Sequence, residues 1–274
     1  MKNIFLTILC VCFMTIGFSQ HSLTKLWASD TTLPQPESVL YDAQAKVLYT
    51  SLIDGDASAK DGKGGVAKLD LTGKIINKGW ITGLNAPKGL GKFGNTLYAA
   101  DIDEVVVIDI PSAKVIKKIP VAGSKFLNDI SVDSKGAVYV TDTQTGDVFK
   151  IVNGHVSTFL KNVTGANGVL CVGSDVYVLS SGTVVKANAQ GERKNIASGL
   201  DNSTDGIEQV TKGEFLVSAW NGVIYYAKED GSKQQLLDTR PVKMNTADIG
   251  YDTANRIVYV PTFFKNGVVA YKLK

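Results

Sequence analysis

Five polar side chains recur at one position of a repeating pattern: Glu37, Lys88, Asn128, Asn167 and Asp205, with Ala247 at the sixth. Two carboxylates and two amide oxygens, with no thiolate or imidazole among them, form an all-oxygen donor set. Hard donors of this kind suit Ca²⁺ first, Mg²⁺ or Mn²⁺ next and Zn²⁺ least. The expected ligands are Glu37, Asn167 and Asp205, with Asn128 as a fourth or water-mediated contact. Asn and Asp at strand starts also bond neighbouring backbone groups, but four such residues on one register favour a divalent cation. Lys88 brings the opposite charge. Its ammonium either holds an anionic substrate or developing negative charge, or pairs with Glu37 and keeps a metal out.

The elements that must position these side chains are short strands. The copies read ESVLYDAQAKVLYTSLID from Glu37, KGLGKFGNTLYAAD from Lys88, NDISVDSKGAVYVTD from Asn128, NGVLCVGSDVYVLSS from Asn167, DGIEQVTKGEFLVSAW from Asp205 and ADIGYDTANRIVYVPTF from Ala247. Successive spacings are 51, 40, 39, 38 and 42 residues. A period near 40 with about four strands per unit is the signature of a β-propeller blade. The predicted fold is therefore all-β, a six-bladed β-propeller of four-stranded blades. Asn153-Gly154 between apolar runs is a hairpin signal, and Asp133 to Gly136 reads as turn chemistry without function. The last copy stops after three strands, and LTKLWAS at 23–29 can supply the fourth and close the ring. In a propeller the first strand of each blade lies nearest the axis, so the residue that opens it points at the central mouth.

The termini and composition narrow the function classes. Met1-Lys2-Asn3 followed by IFLTILCVCFMTIG and Phe18-Ser19-Gln20 reads as a secretory signal peptide over residues 1–19. Residues 20–274 then form a single domain, exported to the periplasm or secreted, with no stable membrane insertion after cleavage. Cys10 and Cys12 leave with the leader, so Cys171 alone remains and no internal disulfide forms. Lys plus Arg exceed Asp plus Glu by 3, or by 2 without Lys2, which is too little for a nucleic-acid footprint. His21 and His155 are the only histidines, one at the start of the mature chain and one after a hairpin turn on the face away from the mouth. A Ser-His-Asp or Cys-His arrangement is therefore excluded, and Cys171 reads as a buried apolar residue.

The connections between the second and third strands should wall the mouth. The longest, DGDASAKDGKGG at 54–65, accounts for the 51-residue spacing and reads as a mobile lid or a surface loop. Its glycines lack the spacing and the following helix of a phosphate-binding loop. Trp220, Phe263 and Phe264 offer apolar contact to a ligand from the fifth and sixth of these connections, or else pack against the neighbouring blade.

The PESVLYD, FLNDISVD, GANGVLCV and STDGIEQV segments resemble the metal-site motifs of the senescence marker protein/gluconolactonase family of six-bladed propellers, related in fold to paraoxonases and strictosidine synthase. The resemblance covers essentially the whole mature chain. It implies Glu37, Asn167 and Asp205 as principal metal ligands, Asn128 as a contact to substrate or metal, and Asp205 as general base. Lys88 departs from the pattern, standing where the paraoxonase-like branch has a histidine, and the arginine before the Asn-Asp pair is missing, Lys125 being the nearest basic residue. Two functions follow as expectations. One is metal-dependent hydrolysis of a small lactone or ester, with Asp205 catalytic and Asn128, Lys88, Trp220 and Phe263 contacting substrate. The other is a non-catalytic exported propeller that binds a small ligand or a protein partner at the same mouth.

Overall fold

The computed structural model describes residues 20–274. The predicted leader at 1–19 lies outside the described residues. Six four-stranded antiparallel sheets make up the chain, as the repeat predicts. The inner strands are Pro36–Asp42, Pro87–Phe93, Leu127–Val132, Ala166–Val172, Thr204–Thr211 and Gly250–Asp252. The second strands are buried on both faces along nearly their whole length, and with the third strands they pack against the neighbouring blades. The core is thus a set of wedges between adjacent blades, one of which joins Val105, Val107 and Ile119 to Leu127, Ile130 and Val140.

The ring closes as expected. Leu23–Ala28 pairs antiparallel with Val268–Leu273 as the outermost strand of the sixth blade, from Leu23 opposite Leu273 to Ala28 opposite Val269. Among the described residues no helix is long and apolar enough to cross a membrane.

The sixth inner strand is shorter than the sequence suggests. It begins at Gly250, not Asp248, because the backbone at 248 pairs sideways with the first blade. The Asp248 N–H donates to Glu37 O at 2.9 Å, and the Val39 N–H donates to Asp248 O at 3.2 Å.

In the other five inner strands the ladder to the second strand is interrupted at the same place. Register shifts fall between Pro36 and Val39, Pro87 and Leu90, Leu127 and Ile130, Ala166 and Val169, and Thr204 and Ile207. The two residues skipped each time are Glu37-Ser38, Lys88-Gly89, Asn128-Asp129, Asn167-Gly168 and Asp205-Gly206. A bulge bends its strand and re-aims the side chains it carries. Here it turns the first residue of each pair toward the mouth. Freed amides find replacement acceptors on the second strand: Ser38 N donates to Ser51 Oγ at 2.9 Å, Asp129 N to Thr141 Oγ1 at 3.0 Å and Gly206 N to Ser218 Oγ at 2.8 Å.

Candidate functional site at the axial mouth

The five predicted polar residues meet in one cup of about 250 Å³. Glu37, Lys88, Asn128, Asn167 and Asp205 supply its polar surface, and Ile53, Ala57, Phe126, Trp220 and Phe263 its apolar walls. Ile53 and Ala57 lie at or in the long connection of the first blade, and Trp220 and Phe263 come from those of the fifth and sixth. The second-to-third-strand connections therefore do wall the mouth in these blades. Trp220 and Phe263 pack edge-on at 5.4 Å, with Phe264 exposed beside them. Ala247, the one apolar member of the repeat, is buried with Ile53, Ala86, Ile102 and Phe263 in an apolar cluster beside the cup.

Three oxygens in the cup are buried and have no hydrogen-bond partner: Glu37 Oε2, Asn167 Oδ1 and Asp205 Oδ2. They come from three different blades. A buried polar atom without a partner costs about 1–3 kcal/mol, so three in one pocket mark a place where a ligand is expected to supply contacts. Asn128 is oriented differently. Its Nδ2 donates to Thr143 Oγ1 at 2.9 Å, and that hydroxyl donates onward to Ala166 O at 2.8 Å. That bond uses one of the two N–H donors of Asn128 and fixes the side chain so that its amide oxygen is left for a ligand. Among the described residues no cluster of three or more His, Cys, Asp or Glu side chains forms a metal site, and the cup's donor set has two carboxylates, the rest being amides.

Electrostatics in the cup follow from burial. The Glu37 carboxyl is held well above its ordinary range, first by burial and then by Asp205 and Asp248, with Lys88 opposing. Burial and Asp248 likewise push Asp205 well up, against a hydrogen bond from Asn167. Both carboxyls are thereby shifted toward the protonated form.

Lys88 does not pair with Glu37 as one sequence reading has it: among the described residues no ion pair within 4.0 Å involves Lys88. Its side chain is 2% exposed. Nζ donates to Ala57 O at 2.9 Å and to Ala86 O at 3.1 Å, and lies 4.1 Å from the centre of the Phe126 ring. Burial lowers the Lys88 pKa, with Glu37, Asp101 and Asp56 acting the other way. The loop it reaches is tied down elsewhere too, by Lys60 to Asp103 at 2.6 Å and by Gly55 N to Gln35 Oε1 at 2.7 Å.

A second ring, which sequence reasoning missed, lies one residue further along each inner strand: Ser38, Gly89, Asp129, Gly168, Gly206 and Asp248. Ser38 Oγ donates to Asp248 Oδ2 at 2.5 Å. Asp129 accepts from Ile130 N at 2.6 Å and from Val169 N at 2.7 Å. A Cβ on Gly206 would stand 2.5 Å from Asp248 Oδ1, so the absence of a side chain there makes room for that carboxylate. Burial pushes Asp248 up to about 7 despite the bonds to Ser38 and Asp129, and holds Asp129 well above its ordinary range. These side chains line a separate cavity of about 460 Å³ at the other end of the inner strands. Asp129 has both oxygens engaged, and Asp248 has its Oδ2 bonded to Ser38. Phe126 was also missed; its place in the wall follows from the Asp142 carboxylate, which accepts from Lys125 N at 2.5 Å and Phe126 N at 3.0 Å. The Asn-Asp pair that follows carried the only sequence signal near it.

No family model matches the chain, and no curated protein matches it. Solved structures do. A catalytically inactive histidine-to-alanine variant of virginiamycin B lyase from Staphylococcus aureus, with quinupristin, aligns at 13% identity over 92% of this chain and 99% of its own, with a TM-score of 0.66. A streptogramin B lyase aligns at 12% identity over 93% of this chain and 98% of its own, also at 0.66. A chain of a nidogen/laminin complex aligns at 15% identity over 74% of this chain and 80% of its own, at 0.62. At these identities the likeness shows the fold: a six-bladed β-propeller of an architecture shared by lyases and by a chain of a protein–protein complex.

Proposed function

We propose that this protein is an exported hydrolase of a small lactone or ester that holds one divalent cation, Ca²⁺ first, at the mouth of the propeller. The observation that carries this reading is the trio of orphaned, buried oxygens on Glu37, Asn167 and Asp205, converging from three blades. Their chemistry fits a hard cation, and the motif resemblance to gluconolactonases points the same way. When bound, such a cation polarises a carbonyl oxygen. The protein's own part is to present the donors, exclude bulk water with Phe126, Trp220 and Phe263, and move a proton. Asp205 would act in that step as the ionised carboxylate, accepting a proton from the attacking water and returning it to the alkoxide oxygen released when the acyl–oxygen bond breaks. Asn128, fixed by Thr143, orients the substrate.

A chemistry based on histidine has less support. The inactive lyase variant lacks one histidine, whereas in this chain His21 stacks on Tyr226 at 3.9 Å and His155 is exposed on an outer strand. Neither lines the cup. The Lys88 ammonium, already resident in the cup, favours a second reading in which the mouth binds a small ligand without turning it over.

The test measures melting temperature and turnover of a lactone panel with and without Ca²⁺, for wild type, Glu37→Gln and Asp205→Asn. At a Ca²⁺ concentration of 100 times Kd the stabilisation is about 2.7 kcal/mol, or about 5–10 °C for a domain of this size. Glu37→Gln should blunt the shift, and Asp205→Asn should abolish turnover. No shift with Ca²⁺, Mg²⁺ or Mn²⁺, together with no turnover, would replace the hydrolase by the binding module.

A further inference from the structure

Lys88 is the one charged group in the cup that the proposed chemistry leaves without a task. A buried ammonium loses most of its hydration, and the structure returns only two carbonyl oxygens and a ring face. Three acceptors around Nζ match the three N–H bonds of the charged form. Among the described residues no carboxylate forms an ion pair with Nζ within 4.0 Å, and Glu37, Asp101 and Asp56 act on the charge only from further away. Glu37 Oε2 is buried without a hydrogen-bond partner. The Asp101 carboxylate is committed to Asn85 N at 2.9 Å and Ala86 N at 2.8 Å, and Asp56 accepts from Ser58 N at 2.7 Å.

We propose that Lys88 is a specificity-determining residue that selects ligands carrying one negative charge, a carboxylate-bearing lactone or ester in the setting of the proposed hydrolase. The inference rests on that reading in one respect, the charge balance. Glu37 and Asp205 ionised, Lys88 protonated and a divalent cation bound leave the lining of the cup with one uncompensated positive charge. A monoanion neutralises it in a water-poor site, where charge-assisted hydrogen bonds are strongest. The bond that such a ligand replaces is the one to Ala57 O, because Ala57 belongs to the connection that walls the mouth, whereas Ala86 O is fixed two residues before Lys88. A carboxylate at that point meets Nζ while the rest of the ligand lies against Phe126, Trp220 and Phe263.

Two probes of nearly equal shape separate charge from packing: phenylacetate and phenylacetamide, titrated calorimetrically into the Ca²⁺-loaded chain. The expected result is a preference for phenylacetate of at least about tenfold, the size of a hydrogen bond to a charged group. Lys88→Met should lower that ratio by about tenfold, while Lys88→Arg keeps most of it. If Lys88 merely fastened the loop at Ala57, Lys88→Met would lower the melting temperature and leave the ratio as it was, and that outcome overturns the proposal. Should Lys88→Met not fold, Lys88→Gln, which removes the charge and keeps amide donors, carries the same comparison. A chain that responds to Ca²⁺ but shows no preference overturns the role of Lys88 alone. One that shows neither response overturns the cation as well. Intact selectivity with no hydrolysis of neutral or carboxylate-bearing lactones sinks the hydrolase and leaves Lys88 as the selector.

Discussion

Gly168 follows Asn167 in the fourth inner strand, and its place against the fifth gives a test of how the cup is held. A Cβ at this position would stand 2.3 Å from the backbone oxygen of Asp205. Ordinary carbon–oxygen contact needs about 1 Å more, and neither strand can supply it by a rotamer change because the oxygen is backbone. Gly168→Ala must therefore push the Asp205 strand away from Asn167. Overpacking of this kind costs about 1–3 kcal/mol, and with backbone on both sides the upper figure is expected. At about 2–4 °C per kcal/mol for a chain of this length, the melting temperature should fall by about 6–12 °C. Gly79→Ala is the matched control: Gly79 lies on an outermost strand, and its added Cβ would meet only Thr82 Cγ2, at 3.3 Å. That variant should melt within about 2 °C of wild type. Thermal unfolding followed by circular dichroism reads both. Gly168→Ala melting as close to wild type as Gly79→Ala would refute the claim that the inner strands meet at backbone contact and hold Asn167 and Asp205 in register.

Two further outcomes follow from the same architecture. Asp248 titrates near 7 in the fold, above the ordinary carboxylate range, so the native state binds more protons than the unfolded chain between about pH 4 and 7. Its contribution is full below the unfolded value and is lost as pH rises through about 7. The metal-free protein should therefore melt lower at pH 8 than at pH 5.5, and Asp248→Asn should reduce the difference, the other buried carboxyls contributing the remainder. A wild-type profile rising over that interval would contradict the assignment. Deleting residues 20–29 strips the outermost strand from the sixth blade and exposes the edge of Val268–Leu273; the truncated chain should aggregate on size-exclusion chromatography, and a monomer with an unchanged melting temperature would disprove that this strand closes the ring.

The position of the cup was legible because the repeat is regular: six strand openings at near-equal spacing must meet on the axis, and five of them are polar. What those side chains bond to was not legible. Lys88 looked like a partner for Glu37 since both are charged, yet its acceptors are the carbonyls of Ala57 and Ala86, and backbone oxygens carry no signature in side-chain types. The lid reading of the long first connection failed to anticipate that Lys88, Gln35 and Asp103 tether it, for the same reason and because the three lie far from it in sequence.

The dipeptides Lys88-Gly89, Asn167-Gly168 and Asp205-Gly206 were in plain view, and polar-Gly pairs read most readily as turns. None of them is a turn. Each sits in a bulge inside an inner strand, where the polar residue faces the mouth and the glycine lets the next blade approach. Where the second residue is instead Ser38, Asp129 or Asp248, its side chain bonds to the adjacent blade, Ser38 to Asp248 and Asp129 to Val169 N. Round the ring the order is Ser38, Gly89, Asp129, Gly168, Gly206 and Asp248, and a Cβ at any of the three glycines would stand within 2.5 Å of the next blade. The polar residues at the mouth thereby take their spacing from one level below, from glycines that do not line the cup.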